Sequence, residues 1–308
     1  MSTTVAFIGL GQMGRLMSAN LAAGGYTVQS YDLNGSGNRK SAKEAADGAH
    51  ILITMLPDGA AVRKAVQAAL PGLQAGAVVI DMSSADPGAT RELQKLLNSR
   101  QVLLLDAPVS GAKAGAKDGT LAIMVGGDAA VLKHVRPVLE KMGKQIFHCG
   151  PLGAGHAMKA LNNYIGGSGT IAAFEALIVG KAFGLDPQTM VDVLNASTGY
   201  NSTTQRKIPQ QVLTHAFASG FSAALMTKDV GIADGIARLA KVPAPYLAAT
   251  SKLWSAALKR LPQGADHTEM FRFLEQLRTP SRAAAAPRSG SRRKPRRSST
   301  KPVRRRRA

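Results

Sequence analysis

Chemistry first becomes legible in a glycine-spaced string near the start of the chain, Gly9-Leu10-Gly11-Gln12-Met13-Gly14. In a Gly-x-Gly-x-x-Gly turn the first glycine permits a tight bend and the second lets backbone approach a pyrophosphate. The third lets the following helix pack closely on the preceding strand. The free amide N–H groups of that helix then face the phosphates. In a chain with 32 glycines the string alone is a weak signal, so its neighbours decide. Before it, Thr4-Val5-Ala6-Phe7-Ile8 reads as a buried strand; after it, residues 15–23 suit a helix that Gly24-Gly25 ends. Residues 26–31 read as a second strand closed by Asp32, 21 residues after Gly11, where a carboxylate accepts hydrogen bonds from the adenosine ribose hydroxyls. The same charge repels the extra phosphate of NADP, so NAD is the expected dinucleotide. Arg39 and Lys40 in the next loop can soften that repulsion enough to admit NADP.

The elements around this unit continue the alternation. Apolar runs at 51–56, 78–81, 102–105 and 121–125 read as strands, with helical stretches such as 60–69 and 87–97 between them, the latter opened by the Asp86-Pro87 cap. From Gly153 the strand signal fades, and apolar residues recur at helical spacing, as in Tyr246, Leu247, Leu253, Trp254, Ala257 and Leu258. A first long helix is expected over 154–183, reaching between the halves, and Asp186-Pro187 starts the next. The expected fold is α/β, a Rossmann-type doubly wound parallel sheet followed by an all-α domain. The expected division is a dinucleotide-binding domain over 1–152, a helical substrate and oligomerisation domain over 153–278, and a disordered basic tail over 279–308.

Composition sets the class. A chain of 308 residues, 45% hydrophobic and 19% charged, can fill two ordinary cores. Its net charge of +20 first suggests a nucleic-acid binder, but twelve of the 39 Lys and Arg, and none of the 19 Asp and Glu, lie from Thr279 onward. The body is only moderately basic. The tail, dense in like charge and without aromatic residues, is expected to be disordered and able to hold phosphate nonspecifically. Cys149 is the single cysteine, so no intramolecular disulfide forms. With no basic leader at the start and no uninterrupted apolar span, a cytoplasmic protein off the membrane is expected. The six histidines lack ligand-like spacing, so no metal site is expected.

Four strings in matching order and spacing resemble one family, the β-hydroxyacid dehydrogenases typified by 3-hydroxyisobutyrate dehydrogenase. They are the glycine turn, Asp106-Ala107-Pro108-Val109-Ser110-Gly111, residues 153–163 (GAGHAMKALNN), and Lys228-Asp229-Val230. The resemblance covers about residues 4–277. It implies an NAD-dependent oxidoreductase that interconverts a small β-hydroxyacid and its semialdehyde or keto form, with Lys159 as general acid/base and Asn163 beside it. Elementary chemistry agrees. Oxidising an alcohol requires removal of its hydroxyl proton, which a lysine can accept once burial depresses its pKa. Asn163, four residues on, shares the helical face of Lys159. The resemblance further implies that Ser110 and Gly111 hold the substrate carboxylate, and that Leu56, Pro57, Ser84 and Lys228 lie along the cofactor. The expected assembly is a homo-oligomer, a dimer or tetramer through the helical half. His156, three residues before Lys159, is a rival proton carrier, although packing at a helix start is the expected role.

The chain departs from the family in three places. Ala112 stands where a second glycine is usual, which tightens the loop or alters the preferred acid. Between Asp32 and the next strand only residues 33–50 are available, room for one helix near 40–46, so an outer sheet strand is expected to be missing and the adenosine side more open. The basic tail motivates the alternative reading, a non-catalytic dehydrogenase-fold scaffold binding nucleic acid through residues 279–308.

Overall fold

Strand β1 (Thr4–Ile8) is apolar from Val5 to Ile8, which suits a central parallel strand buried on both faces. Helix α1 (Gly14–Ala23) leads to β2 (Thr27–Tyr31), and the short α2 (Ala42–Ala46) leads to β3 (Ile51–Thr54). Both strands flank β1 in parallel, with Val5 opposite Val28 on one side and Ile51 on the other. Helices α3 (Gly59–Ala69) and α4 (Pro87–Asn98) then carry the chain through β4 (Val78–Asp81) to β5 (Leu103–Asp106). The computed structural model describes residues 3–278.

At β2 the sheet ends. Residues 33–50 contain α2 and no strand, so the expected loss of the outer strand is borne out. Three alanines, Ala42, Ala45 and Ala46, form the buried side of α2 and let so short a helix lie close on the sheet. Its start is a reciprocal cap. The Glu44 N–H donates to Ser41 Oγ (3.1 Å), while the Glu44 carboxylate accepts from the Lys40 N–H (3.0 Å).

The sheet is parallel only as far as β5. Residues β6 (Val109–Ser110) continue the line of β5 past Pro108, which has no N–H to give to a ladder. Both pair antiparallel with β7 (Leu121–Gly126): Asp106 faces Gly126, Val109 faces Ile123 and Ser110 faces Ala122. The intervening helix α5 (Ala112–Asp118) acts as the loop of a hairpin rather than as a crossover. After α6 (Ala129–Leu139), β8 (Gly143–Gly150) adds to β7 in parallel. Sequence reading missed β6 and β8. The first is two residues long, and the second is an edge strand whose Lys144, Gln145, Phe147 and His148 are exposed, so it carries no buried run.

Beyond β8 the described chain is helical: α7 (Ala154–Phe183), α8 (Pro187–Ala196), a wide i→i+5 turn over Thr203–Val212, α9 (Ala223–Leu239), α10 (Pro245–Leu258) and α11 (Met270–Arg278). Alternate sheet residues feed two cores, one around Phe7, Ile53 and Ile80 and the other around Ile8, Leu52 and Val79. A third core around Phe174, Trp254 and Phe271 holds the helices. No helix among the described residues is long and apolar enough to cross a membrane. The expected disorder of 279–308 lies outside the described residues.

Candidate active site

The glycine turn has the shape its spacing predicts. Gly9 has a φ of +101°, and a Cβ on it would collide with the Met55 carbonyl; one on Gly14 would collide with the Gly9 carbonyl. A Cβ on Gly11 would meet nothing within 4 Å, so open space lies against backbone where a pyrophosphate would approach. Helix α1 has neither a side-chain cap nor an acid in its first turn, and the N–H groups of Gln12 and Met13 take no acceptor among the described residues. The positive end of the helix is therefore left for an anion. Asp32 is drawn onto the turn: its Oδ2 accepts from the Leu10 N–H (2.6 Å) and its Oδ1 from the Asn34 N–H (3.0 Å). Beside it opens a pocket of about 460 Å³ lined in part by Leu33, Arg39 and Lys40. The residues present fit a dinucleotide.

At the ends of β3 and β4 a polar cluster shapes the next stretch. The Asp81 carboxylate accepts from the Thr54 hydroxyl (2.9 Å) and the Ser83 N–H (3.1 Å), and Ser83 Oγ accepts from the Leu56 N–H (2.9 Å). From the helical part of the chain, Lys228 on α9 donates to the carbonyls of Pro57 (2.8 Å) and Ser84 (2.6 Å). Leu56, Pro57, Ser84 and Lys228, scattered in sequence, thus meet along one edge.

Helix α7 is seated by a carboxylate. Asp106 at the end of β5 accepts from the Gly153 N–H on Oδ1 and the His156 N–H on Oδ2, both at 2.7 Å. Gly155 permits this close seat, since a Cβ there would strike the Met124 carbonyl. His156 is fully buried with both ring nitrogens engaged: Nε2 donates to the Ser83 carbonyl (3.0 Å) and Nδ1 pairs with the Thr90 hydroxyl (2.8 Å). These bonds hold the start of α7 against the end of β4 and the first turn of α4.

One turn deeper lies Lys159, buried, with no hydrogen-bond partner for its amine among the described residues. Burial pushes its pKa down; the Asp229 carboxylate pulls it back up, and neighbouring Lys228 opposes that. Asn163 donates to Asp229 Oδ2 at 2.6 Å, while Asp229 Oδ1 is buried without a hydrogen bond, 3.6 Å from Lys228 Nζ. Burial pushes the Asp229 pKa up, against the two lysines and Asn163. A neutralisable amine, an amide and a carboxylate therefore share one dry corner, an arrangement suited to moving a proton.

Residues 4–150 match the family model for the NAD-binding domain of 6-phosphogluconate dehydrogenase, and residues 153–274 match the NAD-binding model of NADP-dependent 3-hydroxyisobutyrate dehydrogenase. Among curated relatives, a 2-(hydroxymethyl)glutarate dehydrogenase of Eubacterium barkeri is 35% identical over 90% of this chain and 96% of its own. An NAD-dependent L-serine dehydrogenase of Pseudomonas aeruginosa is 36% identical over 83% of this chain and 92% of its own. This chain belongs to the β-hydroxyacid dehydrogenase family. A solved structure of 3-hydroxyisobutyrate dehydrogenase from Mycobacterium tuberculosis with L-serine superimposes with a TM-score of 0.82 at 36% identity, covering 89% of this chain and 99% of that one. The chain is accordingly an NAD(P)-dependent oxidoreductase of β-hydroxyacids.

In this family member Ser110 is half-buried on β6, and Gly111 takes a φ of +138° at the turn into α5. Neither is hydrogen-bonded to Lys159 or Asn163 among the described residues. Ala112, the departure from the usual second glycine, is held at a φ of +54°, a left-handed conformation that an alanine adopts only at a cost. Sequence reading quoted Asp229 in a motif without giving it a role. Its partner Asn163 lies 66 residues away, and only the packing of α9 on α7 joins them.

Proposed function

We propose that Lys159 is the general acid/base of this oxidoreductase, acting on a small 3-hydroxyisobutyrate-like acid, HO–CH2–CH(R)–COO⁻. The relatives are named for acids of this form, in which R is methyl, amino or carboxyethyl. Bound NAD supplies the hydride acceptor. In the oxidative direction the neutral Lys159 amine takes the hydroxyl proton as the carbinol C–H electron pair departs and C–O becomes C=O. In reduction the ammonium returns that proton to the carbonyl oxygen. Asp229 and Asn163 hold the charge and orientation of this corner, while Ser110 and the Gly111 N–H receive the substrate carboxylate. The observation that carries the reading is the unpartnered, desolvated amine of Lys159, on a helix that Asp106 ties to the carboxyl ends of the parallel strands, the end of the sheet that also carries the dinucleotide turn.

Residues 1–152 serve the cofactor in this proposal, through Gly9, Leu10, Gly11, Gln12, Met13, Gly14, Asp32, Leu56, Pro57 and Ser84. Residues 153–278 bring Lys228 and the substrate half. Asp32 favours NAD. Arg39 is engaged with Gln29 Oε1 (2.8 Å), which leaves Lys40 as the other cation lining that pocket for an NADP phosphate. A reducing, cytoplasmic setting suits the single thiol of Cys149. Nucleic-acid binding would rest on residues 279–308, and no relative supports it. The test is NAD reduction across a panel of short β-hydroxyacids with Lys159→Ala alongside: turnover lost in the variant is expected, and turnover retained would overturn the assignment.

Assembly is part of the same proposal. Met158, Leu161, Ile165, Val179 and Phe183 lie exposed on one side of α7, within about 60° of one another at 100° per residue. Such a stripe suits a second copy of this chain. Light scattering is expected to give a dimer or larger, reduced to a monomer by Ile165→Glu with Phe183→Glu.

A further inference from the structure

Lys159, Asn163, Gly166 and Thr170 form a row on α7, within about 60° of one another at 100° per residue. One end is the proposed reactive corner. At the other, the Thr170 hydroxyl accepts from Lys207 Nζ (2.8 Å) and itself donates to the Gly166 carbonyl (2.8 Å). Thr170 and Thr203 are paired at 2.9 Å, which anchors the wide turn carrying Lys207 against α7. Between the ends, a Cβ on Gly166 would meet nothing within 4 Å, so the middle of the row is open. Asn163 and Thr170 are about 10 Å apart along the axis.

Lys207 is half-buried, yet no carboxylate among the described residues touches it. Asp266 is the acid that attracts it, but the oxygens of Asp266 are already taken by the Ser219 hydroxyl, the Gly220 N–H and the Thr268 N–H and hydroxyl. A half-buried cation with one neutral acceptor gains when something negative joins it. Burial lowers its pKa to about 8, so the ammonium still predominates at neutral pH.

We propose that Lys207 determines specificity by binding a second carboxylate, so that the preferred substrate is a β-hydroxyacid whose R group runs over Gly166 and ends in an acid. The inference rests on Lys159 marking the reactive end. It is tested by comparing kcat/KM of the full chain with NAD for 2-(hydroxymethyl)glutarate and 3-hydroxyisobutyrate, which share the reacting HO–CH2–CH–COO⁻ unit. The diacid is expected to be preferred. Lys207→Met is expected to reduce its kcat/KM by about 10- to 100-fold, mainly through KM, with the monoacid changed less than about twofold and Lys207→Arg restoring part of the loss. Preference for the monoacid, or an equal loss on both acids, would overturn it. If neither acid is oxidised, titration calorimetry with glutarate against butyrate decides. Tighter glutarate binding that disappears in folded Lys207→Met upholds the anion site while the reading of Lys159 falls, and equal binding of the two overturns the proposal.

Discussion

At the scale of the residue, the assignment of Lys159 has a signed pH dependence. Because burial lowers its pKa below the ordinary 10.5, oxidation is expected to rise with pH and level off below that value, and reduction is expected to fall over the same range. The same shift governs stability. The folded chain binds this proton less tightly than the unfolded chain, so the cost is full below the lowered pKa and vanishes as pH rises through 10.5. Lys159→Met is therefore expected to lose about 10²- to 10⁴-fold in kcat/KM yet melt at a higher temperature at pH 7, the gap closing toward alkaline pH. A variant less stable than the parent at pH 7 would contradict this. Asp229 pulls the Lys159 pKa up, so Asp229→Asn should move the acidic limb of the oxidative profile to lower pH; an unmoved limb would remove Asp229 from the proton-handling group. Lys159 was legible because its neighbours in sequence form the motif, whereas the orphaned Oδ1 of Asp229 exists only once α9 is packed.

Among elements, short connections determine the outcome. The segment 33–50 is too short to hold a strand between two crossovers, which chain length alone made readable, and α2 fits because its buried positions are alanines. The hairpin of β5, β6 and β7 was not readable, since an apolar run has the same pattern whichever way its neighbour runs. That hairpin carries the proposed substrate loop, Ser110 and Gly111, beyond the end of β5, and its strained residue is Ala112. Ala112→Gly is expected to stabilise the chain by about 1 kcal/mol, a rise in Tm of a few degrees, measured by thermal unfolding. A fall in Tm would mean that contacts of the Ala112 methyl outweigh the backbone strain.

For the whole molecule, Asp106 and His156 link the start of α7 to the sheet, and Lys228 adds a second polar link by bridging from α9 to the loops after β3 and β4. Removing its ammonium leaves the Pro57 and Ser84 carbonyls without that donor and loosens the edge along which the cofactor is proposed to lie. Lys228→Met is expected to raise KM for NAD about tenfold while the isolated spectra of fold and helix content stay unchanged. An unaltered KM would make Lys228 a structural strap alone.

Local chemistry was determined by the sequence itself: the glycine turn and its closing acid, the Asp-Pro helix starts, the span of α7 over Ala154–Phe183 and the lost outer strand all follow from contiguous patterns and chain length. The tertiary structure alone decided which distant groups share a dry environment. Burial depresses Lys159, Asp229 meets Asn163 across 66 residues, and Asp106 seats α7 on the sheet. The physical reason is that backbone propensity is a short-range property, whereas desolvation and charge pairing depend on what packs against a group, which no local pattern records.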